Sequence, residues 1–132
     1  MSLEKSNSPK ENVAVLGASD LPDRFAHRAD AKLRAHGHTT YLVNPKFKTI
    51  EGRKVFESLM AIKDLGTPID TVTLYVNPKI LAAELNQLIE LKPRRVIFNP
   101  GTEDEACEAK LESQGIKAQR ACTLVLLDTG RF

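Results

Sequence analysis

Five short stretches hold the residue types able to do chemistry: "GASDLP" (17–22), "NPKFK" (44–48), "VNPK" (76–79), "NPGTED" (99–104) and "ACT" (121–123). In the first, Gly17 permits a tight turn after an apolar run. Small residues such as Ala18 then let backbone N–H groups approach an anion, and Ser19 adds a hydroxyl donor. A helix starting here would add a favourable dipole. Against the dinucleotide fingerprint Gly-x-Gly-x-x-Gly, however, Ser19 and Pro22 stand where the second and third glycines belong. A turn glycine followed by a helix cap explains the stretch equally well.

The second stretch changes what kind of anion is expected. A site for NAD ordinarily places a carboxylate here for the ribose hydroxyls. This chain instead has Asn44, Pro45 and Lys46, then Lys48, Arg53 and Lys54. A positive turn suits a ribose bearing an extra phosphate, either the 2′-phosphate of NADP or the 3′-phosphate of coenzyme A (CoA). The plain alternative is a solvated basic loop, since surface lysines are common.

The remaining stretches have structural explanations of their own. Asn77 can cap a helix with Pro78 at its first position, and that helix would open toward the Gly17 turn. Following Asn99 and Pro100, Gly101 allows unusual backbone angles, while Thr102 with Glu105 fits a capping box. Cys122 follows a strand, but a lone cysteine is more often a small buried residue than a reactive one. His27, His36, His38 and Cys107 form no metal-ligand spacing, and no base–nucleophile pair is visible. The reading is therefore of binding without catalysis.

The elements that must position these turns alternate along the chain. "NVAVLG", "TTYLVNP", "DTVTLYV", "RRVIFN" and "IKAQRA" read as strands, with a short edge strand near Lys54–Phe56. "PDRFAHRADAKLRAHG", "NPKILAAELNQLIELK" and "TEDEACEAKLESQG" read as helices. In the first of these, Phe25, Ala26, Ala29 and Leu33 form the apolar face and Gly37 the stop. "CTLVLLDTGRF" fits a short helix or another strand. The expected fold is α/β: a Rossmann-like, doubly wound, mostly parallel five- or six-stranded sheet with helices on both faces. If the strand at Asp70 returns beside the first strand, a switch point falls between the Gly17 and Val76 turns, where ligands bind.

Composition narrows the classes. The chain has 132 residues and a formal net charge of +2, with 42% hydrophobic and 5% aromatic residues. It has no basic stripe for nucleic acid and no apolar run long enough for a membrane helix. Two cysteines make no disulfide framework, so a cytoplasmic setting is expected. Residues 1–11 are polar and unpatterned and are expected as a frayed tail, leaving 12–132 as one domain.

In order, "VAVLGAS", "YLVNPK", "GRKVF", "TLYVNP", "VIFNPGTED" and "CTLVLL" resemble the small single-domain CoA-binding proteins. That fold is similar to the CoA-binding domain of the succinyl-CoA synthetase alpha subunit. The resemblance implies CoA or an acyl-CoA as ligand. It puts Gly17, Ala18 and Ser19 at the phosphates, and Asn44, Pro45 and Lys46 around adenine and the 3′-phosphate. Val76, Asn77 and Pro78 would line the cleft, Asn99, Pro100 and Gly101 would lie nearer the thiol, and Arg24 would add a basic group. The synthetase's second domain, with its phosphorylated histidine, has no counterpart here, so ligase chemistry is not expected. The alternatives are a small NADP-binding oxidoreductase and a redox-regulated protein modified by CoA at Cys122. A homodimer or a separate protein partner fits either case.

Overall fold

The structure is a computed structural model and describes residues 9–132. Seven strands form one sheet in the order β3-β4-β2-β1-β5-β6-β7. They are β1 (Asn12–Leu16), β2 (Thr39–Val43), β3 (Thr49–Ile50), β4 (Arg53–Phe56), β5 (Thr71–Leu74), β6 (Arg95–Phe98) and β7 (Lys117–Arg120). All pairings are parallel except the antiparallel β3–β4 pair. The doubly wound architecture is as expected. The strand beyond the expected five or six is β3, two residues long, which pairs outside β4 and takes the sheet edge.

β1 lies between β2 and β5, so the chain reverses its direction across the sheet there. This is the switch point. Side chains alternate across β1: Ala14 and Leu16 enter one core, Val13 and Val15 the other. The helices are α1 (Phe25–Ala35), α2 (Leu59–Lys63), α3 (Pro78–Leu91), α4 (Glu105–Ser113) and α5 (Thr123–Asp128). Leu59, Ile62, Leu81, Leu88 and Leu111 place α2, α3 and α4 on the first face. Ala26, Leu33 and Leu127 place α1 and α5 on the second. Pattern and topology thus agree that both faces of the sheet are covered.

Several local expectations are corrected. α1 starts at Phe25 rather than at Pro22, because Leu21 O accepts from Arg24 N at 3.1 Å and closes a turn first. Phe25 is 62% exposed and leaves the apolar face, which Ala26, Ala29 and Leu33 carry into the core. The α4 cap is Asp104, whose Oδ1 accepts from Cys107 N at 3.0 Å. Thr102 instead turns its hydroxyl back onto Asn99 O at 2.8 Å. The ambiguous "CTLVLL" is helical, since Leu124 and Leu127 are buried at helical spacing.

Residues 1–8 of the expected tail lie outside the described residues. Glu11, at its end, is held. Its carboxylate accepts from Thr71 Oγ1 at 2.6 Å and from Arg95 Nη2 at 3.4 Å, and its N–H donates to His38 Nδ1 at 3.0 Å. On α1, buried Asp30 accepts from Arg53 Nη1 at 2.6 Å and from Thr40 Oγ1 at 2.5 Å. That link ties α1 to β2 and β4. Among the described residues, no helix is long and apolar enough to cross a membrane.

Candidate functional site

A cleft of about 930 Å³ opens at the carboxyl ends of the strands, over the switch point. It gathers the turns after β1, β2, β5 and β6, with Glu57 after β4. Of the expected residues, Gly17, Ala18, Ser19, Arg24, Asn44, Pro45, Lys46, Val76, Asn77, Pro100 and Gly101 line it. Pro78 and Asn99 do not. Pro78 begins α3, and Asn99 is buried beneath the cleft.

The first turn is built differently from a dinucleotide loop. Gly17 has φ of +93°, and a Cβ there would lie 2.5 Å from Tyr75 O and 3.0 Å from Val76 Cγ1. The β1 and β5 turns therefore touch, and only glycine fits between them. The N–H groups of Gly17 and Ala18 both donate to Val43 O, at 2.9 and 3.1 Å. They are engaged in joining β1 to β2 and are not free for an anion. The unpaired donors come later. Ser19 N, Asp20 N and the first-turn N–H groups of Phe25, Ala26 and His27 have no partner among the described residues.

This leaves α1 unlike the other helices. Ser58, Asn77 and Asp104 side chains cap α2, α3 and α4, and Asn99 Oδ1 accepts from Thr123 N at the start of α5. The N-cap residue of α1, Arg24, makes no capping hydrogen bond. An open 11-residue helix thus presents free donors and the positive end of its dipole to the cleft.

The second turn is organised by Asn44. Its Nδ2 donates to Ala18 O at 2.8 Å and its Oδ1 accepts from Lys46 N at 2.9 Å. Among the described residues, Lys46 and Arg24 are the cations on the cleft wall. The wider basic cluster read from the sequence does not converge. Arg53 is turned to Asp30 and Thr40, Lys54 Nζ sits 4.9 Å from the centre of the Phe56 ring, and Lys48 is not on the cleft wall. The same wall carries four carboxylates, Asp20, Asp23, Glu57 and Glu84. Burial pushes the Glu84 carboxyl above its ordinary range.

Under the cleft, Asn99 is a bracket. Its Nδ2 donates to Thr73 Oγ1 at 2.7 Å and to Leu74 O at 2.9 Å, while Thr73 and Thr123 hydroxyls meet at 2.8 Å. Every polar atom of the Asn99 amide is thereby engaged, which suits a support rather than a ligand contact. Beside it Tyr75 lines the cleft. Burial pushes its phenol up, opposed by hydrogen bonds to Thr73 and Thr123. Cys122 is half-buried at the start of α5 and is not on the cleft wall. Among the described residues, no group of three His, Cys, Asp or Glu could hold a metal.

Sequence reasoning missed Leu21, Phe25, Phe47, Tyr75, Ile80, Glu57 and Glu84 on the cleft wall. Leu21 and Ile80 are apolar at positions that the topology leaves uncovered, a fact that period alone does not reveal. A second hollow of about 280 Å³ lies at the amino ends of the strands, lined by Glu11, Arg94, Arg95, Lys117 and Phe132. Its two arginines are paired with Glu11 and Asp70, so they are not poised for a ligand.

A family model described as a CoA binding domain matches residues 11–128. The Bacillus subtilis (strain 168) protein YneT is 27% identical over 105 residues, covering 80% of this chain and 76% of that protein. The crystal structure of an uncharacterized protein is similar with a TM-score of 0.85 and 37% identity. It covers 95% of this chain and 100% of that one. A Thermus thermophilus protein, cell-free ID.343, is similar with a TM-score of 0.83 and 28% identity, over 98% of this chain and 94% of that one.

Proposed function

Since this chain belongs to the CoA binding domain family, we propose that it binds CoA or an acyl-CoA in the switch-point cleft, without catalysing a reaction on it. The observation that carries this reading is the uncapped start of α1, flanked by Arg24 and Lys46 in the cleft. An unsatisfied helix N-terminus with two nearby cations favours phosphate.

In this reading the pyrophosphate lies at Ser19, Asp20 and the first turn of α1. Gly17 and Ala18 shape the approach, because their own N–H groups serve Val43. The adenosine end lies along Asn44 and Pro45, with Lys46 at the 3′-phosphate. The uncharged pantetheine arm passes Val76 and Asn77 toward Pro100 and Gly101. Pro78 and Asn99 act from behind, the first as the start of α3 and the second as the bracket under the cleft.

Calorimetric titration with CoA, dephospho-CoA, NADP and NAD tests this. CoA is expected to bind, and to bind more tightly than dephospho-CoA. Saturation by NADP with no heat from CoA would overturn the reading in favour of an oxidoreductase-type site.

A further inference from the structure

The cleft that receives phosphates in the reading above carries four carboxylates on its own wall. An ionised carboxylate accepts hydrogen bonds and cannot donate them. Beside a polyanion it costs affinity unless it meets an N–H or O–H of the ligand. Such a group marks where the ligand turns a donor toward the wall.

Glu57 is the carboxylate whose place along the cleft is fixed most closely. β4 pairs with β2, Phe56 lies opposite Val43, and Asn44 N donates to Phe56 O at 2.9 Å. Glu57 therefore follows β4 directly beside the Asn44 turn. In the strand order β4-β2-β1-β5-β6 it stands at one end of the cleft, with Pro100 and Gly101, after β6, at the other. It is exposed, and among the described residues its carboxylate has no hydrogen-bond or ion-pair partner. Nor does the helix that follows need it. The Met60 and Ala61 N–H groups at the start of α2 donate to Gln87 Oε1 at 3.2 Å and to Ser58 Oγ at 3.3 Å.

We infer that Glu57 selects the base of the ligand, its carboxylate accepting from the 6-amino group of adenine. This rests on the CoA reading above, which lays the adenosine end along Asn44 and Pro45, and it adds a specificity-determining residue to that site. Beyond the ribose, the base is the last group of the ligand at the β4 end. Its 6-amino group is the donor that adenine offers, while its ring nitrogens accept. A base with oxygen at that position turns lone pairs toward the carboxylate instead. The site thus takes adenine and turns away hypoxanthine and guanine.

Titration of the parent chain, Glu57→Gln and Glu57→Ala with CoA and with its hypoxanthine analogue, in which oxygen replaces the 6-amino group, tests this. The parent is expected to bind CoA about tenfold more tightly than the analogue, the ordinary worth of a hydrogen bond to a charged group. In Glu57→Gln the ratio should fall toward one, because an amide donates to the oxygen as readily as it accepts from the amino group. It should fall likewise in Glu57→Ala, where neither base finds a partner. Removing the charge also eases repulsion of the phosphates, which raises both affinities and leaves their ratio to report the base alone. The position is exposed, so folding is not at stake. A parental ratio of one or below, or a ratio that keeps its parental value in either variant, would overturn the role of Glu57 and leave the CoA reading standing. If neither ligand binds the parent chain, the CoA reading falls and this inference with it.

Discussion

Asn44 and Ala18 join the two turns that border the cleft: Asn44 Nδ2 donates to Ala18 O at 2.8 Å. The other end of the same amide accepts from Lys46 N at 2.9 Å. One side chain therefore sets the distance between the start of the first turn and the cation of the second. Replacing it with alanine removes both bonds and leaves Ala18 O without that donor. Asn44→Ala is expected to lower stability by about 1–3 kcal/mol, from two hydrogen bonds of ordinary net worth. It should also weaken CoA binding. Urea unfolding and calorimetry on the same preparation check both, and an unchanged unfolding midpoint would show the bracket to be slack.

Gly17 carries a different burden. Its φ of +93° and the 2.5 Å approach of a Cβ to Tyr75 O make Gly17→Ala costly in any ligand state. A loss of roughly 2–3 kcal/mol is expected, the upper part of the ordinary range for point changes. The loss should be equal with and without CoA once ligand stabilisation is subtracted. Denaturation curves at several CoA concentrations measure it. A variant of full stability that only loses binding would mean that the glycine serves the phosphate rather than the β1–β5 contact.

Lys46 should discriminate among ligands. Lys46→Ala is expected to weaken CoA about tenfold and dephospho-CoA far less, since an exposed charge contact to a phosphate is worth about 1–2 kcal/mol. The difference should shrink as salt is raised. Equal losses for both ligands would place the 3′-phosphate elsewhere.

The architecture was legible because β-branched runs, helix periods and Asn-Pro stops all recur in order. The Asn77 cap followed from the same signals, whereas the β1–β5 adjacency, a condition in the sequence analysis, is decided by the strand order of the sheet. What stayed hidden depended on three-dimensional competition for partners. Arg53 belongs by sequence to a basic second turn, yet a buried carboxylate on Asp30 draws it away. Gly17 and Ala18 look like an anion cradle until Val43 O takes their N–H groups. Asn99 reads as a loop residue by its Pro-Gly neighbours, but its amide is fully engaged below the cleft. Phe25 falls on the apolar face of a helical wheel and still projects into solvent, because it stands at the very start of the helix beside the cleft. Hydrophobic period reports which side of a helix faces the sheet, not where along the helix the sheet stops.

At the opposite end of the sheet, His38 gives the fold a pH dependence of its own. The ring is buried, its Nδ1 accepts from Glu11 N at 3.0 Å, and its centre lies 4.9 Å from that of Phe132. Burial holds the imidazole below its ordinary value of 6.5, with the Glu11 carboxylate opposing and the charges of Lys10, His36 and Arg95 assisting. A protonated Nδ1 can no longer accept the Glu11 N–H. Because the unfolded chain takes up this proton more readily than the folded one, the contribution is fully present above pH 6.5 and is lost as pH falls through the lowered folded value. His38→Asn offers an amide oxygen in place of Nδ1 that does not titrate. Urea midpoints for the parent chain should therefore drop between pH 7.5 and pH 5 by more than those of His38→Asn. If the two proteins lose stability in parallel across that window, the dependence arises from other groups and His38 is only a packing residue.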